Sequence, residues 1–107
     1  MDKTTAIERV RAYTTIVRQH FPVKSVILFG SYVNGTPREE SDIDVAVIVD
    51  KIREDFLQSA AKLYYLRNEL EDSIEPILFE EGHDPSGFLA EIMRTGEVIW
   101  EAEKENN

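Results

Sequence analysis

Two short apolar runs, VKSVILF at 23–29 and DIDVAVIV at 42–49, limit what this chain can become, because the second opens with two aspartates. Both runs are brief and rich in β-branched residues, the composition of buried strands. Aspartate is depleted from strands and is rarely buried without a partner. Strand side chains alternate between faces, so Asp42 and Asp44 project the same way, about 7 Å apart along the strand. Ile43, Val45, Val47 and Val49 then take the opposite face, toward the expected helix layer. Two like charges on one face repel, and a cation between them removes that cost. Mg²⁺ favours one or two protein carboxylates together with substrate phosphate oxygens. Asp-x-Asp at a strand start therefore reads as a clamp for a metal-bound phosphate substrate.

The linking segment GSYVNGTPREES (30–41) supports that reading. Gly30 has no Cβ, so a phosphate could approach the backbone there. Ser31 offers a hydroxyl and opens one helical turn, where unpaired amides attract anions. Asn34-Gly35 and Thr36-Pro37 are turn chemistry that reverses the chain toward the aspartates. Transfer between phosphates calls for a third acid, to complete the metal cluster or take the nucleophile's proton. Glu75, at the start of a third strand (73–80), meets that need if the second and third strands are neighbours. Pro76 places that strand at a sheet edge or a bulge.

The rest of the chain supplies helices. Ile7, Val10, Thr14, Val17 and Phe21 recur at helical spacing over 4–20, and Pro22 ends the run,. The pattern over 53–71 predicts a longer helix, with Phe56, Ala60, Leu63 and Leu70 on one face and Leu57 and Tyr64 beside it. Of Tyr64 and Tyr65, one ring is expected in the core and one half exposed. Asp84 reads as an N-cap, Pro85 as the first helical position and Gly96 as the stop of a last helix. EVIWE (97–101) is a final strand packed by Trp100, and 102–107 a solvated, frayed tail,. The order α-β-β-α-β-α-β implies an α/β (α+β) fold. It is a small mixed sheet of about four strands with helices packed on one face, in a single domain over 1–107.

Twenty-one acidic against twelve basic residues give a net charge of −9. Binding to nucleic acid or an anionic membrane rests on Lys and Arg, so that balance argues against both and makes a basic partner plausible. With no cysteine, disulfides and thiolate zinc sites are excluded,. No run approaches the roughly 20 apolar residues of a membrane span, and MDKTTAIERV lacks the apolar core of a secretory signal; cytoplasm is the default compartment. His20 suits a helix C-terminus, His83 a plain loop, and Arg38 is placed either to touch a phosphate or to be solvated.

FGSYVNGTPREESDIDVAVIV resembles the signature of the DNA polymerase β-like nucleotidyltransferase superfamily, in its minimal nucleotidyltransferase (MNT) branch. The likeness is close over 23–50 and looser through Glu75 and the last helix. It implies a nucleotidyltransferase fold, Mg²⁺ in a two-metal site, an NTP donor (usually ATP) and pyrophosphate as leaving group. Gly30 and Ser31 would hold the triphosphate, Asp42 and Asp44 the metals, and Glu75 would be the third acid. Proteins of this branch are commonly paired with a HEPN-domain protein, to which the MNT partner adds AMP in toxin–antitoxin modules. Asn34 stands where similar loops often carry a basic residue, and Glu75 where Asp is common. Two other readings stand beside this one: a non-catalytic antitoxin that masks its partner, and transfer to a small molecule of the aminoglycoside type.

Overall fold

The computed structural model describes residues 1–35, 42–70 and 73–103. Asp2 caps the first helix, α1 (Lys3–Val17), its side chain accepting from the Thr5 amide at 2.8 Å. Ala6, Val10, Tyr13, Thr14 and Val17 bury one stripe of it,. The sequence pattern runs to residue 20, but α1 ends at Val17. Gln19 and His20 donate to carbonyls only three residues back, at 3.1 and 2.9 Å, and this tighter winding stops the helix before Pro22,.

There follow β1 (Val23–Phe29), a single turn α2 (Ser31–Asn34), β2 (Ile43–Val49), α3 (Phe56–Tyr65), a 3₁₀ turn (Leu66–Leu70), β3 (Ile74–Glu80), α4 (Phe88–Thr95) and β4 (Glu97–Glu101). The element order and the turn at Ser31 are those the sequence predicts. The helix expected over 53–71 is divided. Asp55 caps α3 by accepting from the Gln58 amide at 3.1 Å, and after Tyr65 the chain tightens into the 3₁₀ turn. Ser59, Leu63 and Leu66 form the buried stripe. Phe56, Leu57, Tyr64 and Tyr65 consequently stay 44 to 75% exposed, and neither tyrosine enters the core as one was expected to. The Tyr13 hydroxyl instead comes from α1 to donate to the Leu63 carbonyl, and burial pushes that phenol far above its usual range.

Helix α4 starts later than Pro85, after a turn that ends at Gly87 with φ +78°. Asp84 still serves as the cap from a distance, its two oxygens accepting from the Leu89 and Ala90 amides at 3.0 and 2.9 Å,. Gly96 stops the helix against β1. A Cβ there would lie 2.6 Å from the Ile27 Cγ2 and 2.8 Å from the Leu28 carbonyl oxygen, so only glycine fits. Trp100 packs on β4 with the Arg18 guanidinium 4.2 Å above its ring.

The sheet runs β3-β2-β1-β4; β1 is antiparallel to β2 and β4, and β2 is parallel to β3. Strand β3 is therefore an edge, as Pro76 implied. The Ser73 carbonyl accepts from Ile43 and the Glu81 amide donates to Val49, which turns the odd-numbered residues of β3 toward β2 and Pro76 outward, where its missing N–H costs no ladder bond,. One face of the sheet carries Ile43, Val45, Val47, Val49, Val26 and Leu28 against α1 and α3. The other face carries Ile27, Ala46 and Ile48 against Leu89 and Ile92 of α4. The expectation that every helix packs on one face is corrected here. Ala46 and Ile48 continue the Asp44 side of β2 in apolar residues, and burying them requires a helix on that side too.

Candidate active site

Asp44 sits at the start of β2, directly opposite Phe29 on β1 and Glu75 on β3. Residues so paired share a sheet face, with neighbouring strands about 4.8 Å apart. Phe29, Asp44 and Glu75 thus form one row across the sheet, on the α4 side. Asp42 precedes the strand by one residue and is exposed. Burial raises the Asp44 carboxyl above its ordinary value of 3.8, and the negative charges of Asp42 and then Glu75 push it further the same way,. Asp44 thus feels the charge of both other acids.

The glycine turn is built against this row. Gly30 has φ +76°, a conformation that side chains resist, and its carbonyl accepts the Val33 and Asn34 amides, both at 3.0 Å, to wind α2,. A Cβ on Gly30 would overlap the carboxylate of Asp44, whose Cγ it would approach to 3.0 Å. Gly30 is therefore required twice, for its backbone angle and for the space Asp44 occupies. Ser31 opens α2 beside it, and Gly35 closes the turn in the left-handed region. Arg38 lies outside the described residues, as do Thr36, Pro37 and 104–107 of the tail.

Glu75 is less simply placed. Its side chain is 41% exposed and its Oε1 lies 3.3 Å from Nη1 of Arg67, at the outer rim of β3. Among the described residues, no three His, Asp or Glu side chains come close enough together to enclose a metal ion. The donor chemistry suits a hard divalent cation all the same. The oxygens are all carboxylate, the row opens to solvent, and Asp44 carries a charge that a cation would relieve,. The residues fit an ion that completes its shell with substrate oxygens rather than one held in an all-protein cage.

Two features of this end escaped the sequence. Arg67 drew no notice there, because only the fold brings the 3₁₀ turn to the rim of β3. Phe88 of α4 stacks edge-on against Phe29 and Phe79, with ring centres 6.0 and 6.1 Å away, and walls the α4 side of the acid row. His20 and His83 are both exposed. His83 lines a separate apolar cleft of about 570 Å³ with Ile52, Phe56, Ile77 and Phe79, which contains none of Gly30, Asp44 or Glu75. Among the described residues, no helix is long and apolar enough to cross a membrane.

A family profile described as polymerase beta, nucleotidyltransferase, matches residues 12–105. A candidate protein adenylyltransferase of Methanocaldococcus jannaschii is 34% identical over 79 residues, covering 73% of this chain and 79% of that protein. The protein adenylyltransferase MntA of Thermococcus cleftensis is 34% identical over 67 residues, 63% of this chain and 59% of its own length. Among solved structures, a candidate nucleotidyltransferase of Sulfolobus solfataricus is similar with TM-score 0.72 and 19% identity, over 98% of this chain and 88% of the other. A toxin–antitoxin complex with AMP-PNP gives 0.66 at 21% identity, over 91% and 74%. A tri-AMPylated HEPN toxin of Shewanella oneidensis in complex with its MNT antitoxin gives 0.61 at 19%, over 94% and 73%. At such identities the structural likeness speaks for the fold.

Proposed function

The chain belongs to the polymerase beta nucleotidyltransferase family, and from that premise we propose that it moves AMP from ATP onto a hydroxyl of a partner protein. The observation that carries this reading is the row itself: Asp44, raised by burial and by two neighbouring acids, lies in register with Glu75 and against Gly30. Asp42 and Asp44 would hold Mg²⁺, with Glu75 as the third acid. When bound, the metal supplies the positive charge that phosphoryl transfer requires. Gly30 and Ser31 receive the β- and γ-phosphates at the start of α2. Glu75 accepts the proton of the attacking hydroxyl as its oxygen bonds to the α-phosphorus. The bond from that phosphorus to the β-phosphate bridging oxygen breaks, and pyrophosphate leaves.

The partner in this reading is a HEPN-domain protein, and the setting is the cytoplasm, where ATP is available. The whole chain acts as one nucleotidyltransferase domain. Support for the donor and the partner comes from relatives named as protein adenylyltransferases and from folds seen with AMP-PNP and with an AMPylated HEPN toxin. A second reading, a binding module that masks its partner without chemistry, draws on the exposed apolar stripe of Leu57, Tyr64 and Tyr65 on α3,.

The test is incubation with α-labelled ATP, Mg²⁺ and a HEPN-domain protein. Label should pass to the partner, and Asp44→Ala should lower the transfer rate by roughly 100-fold, about 2.7 kcal/mol of barrier. Equal blanks for wild type and Asp44→Ala, with the partner still neutralised, would transfer the case to the masking module.

A further inference from the structure

Among the described residues, Glu75 is the acid of the row that pairs with a cation. Arg67, a half-buried residue, places Nη1 3.3 Å from its Oε1. The guanidinium is itself anchored: Nη1 also donates to the Ile74 carbonyl at 2.9 Å, Nη2 donates to the Tyr64 hydroxyl, and its carbon stacks 4.0 Å above the Tyr64 ring. Arg67 is thus fixed by groups other than the carboxylate it pairs with. Glu75 is the more exposed member, 41% against 20% for Arg67, on an edge strand. Its Cα lies opposite that of Asp44, yet the three acids do not close around a common centre among the described residues. A glutamate, longer than aspartate by one methylene, can lean outward to an anchored guanidinium and still swing back along the row.

We propose that Arg67 is a positioning residue that holds Glu75 at the rim of β3 and competes with the divalent cation for it. This rests on reading the acid row as a cation site. Two physical effects act in the same direction. The guanidinium occupies one of the three carboxylates, and its positive charge beside the row opposes a second positive charge entering it. Cation binding then requires Glu75 to exchange Arg67 for the metal, and the third acid joins the site only when the ion is present. Tyr64, 44% exposed on α3, grips the other end of the guanidinium.

The experiment measures Mn²⁺ binding to the full chain, without nucleotide, by the relaxation of bulk water protons. Wild type, Arg67→Met, Arg67→Lys, Glu75→Gln, the double variant Arg67→Met/Glu75→Gln and Asp44→Ala are compared, with thermal melts to confirm folding. Arg67→Met should bind Mn²⁺ roughly two- to fivefold more tightly than wild type, the reach of a partly exposed ion pair. Arg67→Lys, which keeps the charge but loses the planar fork, should fall between them. The gain should vanish in the Glu75→Gln background, which a role confined to stabilising the fold would not produce. Unchanged or weaker binding by Arg67→Met overturns the proposal, as does a gain that persists without the Glu75 carboxylate. If wild type binds Mn²⁺ and Asp44→Ala does not, the cation site stands whatever Arg67 does. If neither wild type nor Arg67→Met binds Mn²⁺, the proposal about Arg67 falls, while the nucleotidyltransferase reading is decided separately by the label-transfer assay.

Discussion

Ile43 and Asp44 are consecutive residues of one strand, and they belong to different parts of the molecule. Ile43 is fully buried between the sheet and the α1/α3 layer. Asp44 turns to the α4 side, where helix cover stops short and leaves Phe88 and Ile77 44% and 37% exposed beside the acid row. The first face is a closed core and accounts for most of the buried apolar surface. The second is closed only from Ala46 and Ile48 onward, where Leu89 and Ile92 lie over it. The contrast teaches how so small a chain keeps charge inside a strand: one face holds the sheet together, so the other can leave its first row unpacked and charged.

The largest effect expected from this division is on the closed face. Ile43→Ala should lower unfolding stability by about 2–5 kcal/mol in urea titration, the range for emptying a packed core site. A cost near zero would mean that the two faces are not so different. A smaller loss should come from the α4 side. Gly96→Ala forces a methyl within 2.6 Å of the Ile92 carbonyl oxygen and the Ile27 side chain, and should cost about 1–3 kcal/mol by the same titration,. If it costs nothing, α4 is not seated on β1 tightly enough to wall the row.

The smallest effect, and the sharpest for the acid row, concerns pH. The folded-state Asp44 carboxyl titrates above its ordinary 3.8, so over the interval just above that pH the folded chain binds the proton more readily than the unfolded one. This group's contribution to stability is therefore most favourable on the acid side and declines as pH rises through the interval. Asp44→Asn should remove that decline and leave the variant more stable than wild type at neutral pH. Stability profiles of the two proteins that run parallel from pH 3 to 7 would contradict it.

Much of this is legible in the residues alone. The β-branched runs marked the strands, and β1 and β4 fall where the residues put them, because the period of two and its flanking turn residues are local signals. Pro76 marked the edge for an equally local reason. Gly30, Ser31, Asp42 and Asp44 could be picked out because they lie within fifteen residues of each other. Helix faces were harder. Phe56, Ala60, Leu63 and Leu70 read as one inward face, yet Leu63 is joined there by Ser59 and Leu66 while Phe56 stays exposed, since which stripe turns in depends on the strands it must cover. The placement of α4 on the second face had the same cause. Arg67 was invisible because its meeting with Glu75 depends on where a 3₁₀ turn leaves the chain.

The sequence by itself determined the strands, the glycine turn and the pair of aspartates, all of them consequences of side-chain alternation and backbone freedom over short stretches. Tertiary structure alone decided that Glu75 stands beside Asp44, that Arg67 pairs with it, and that helices cover both faces. Those outcomes follow from strand order and from the need to bury every apolar stripe at once, and no local pattern encodes either.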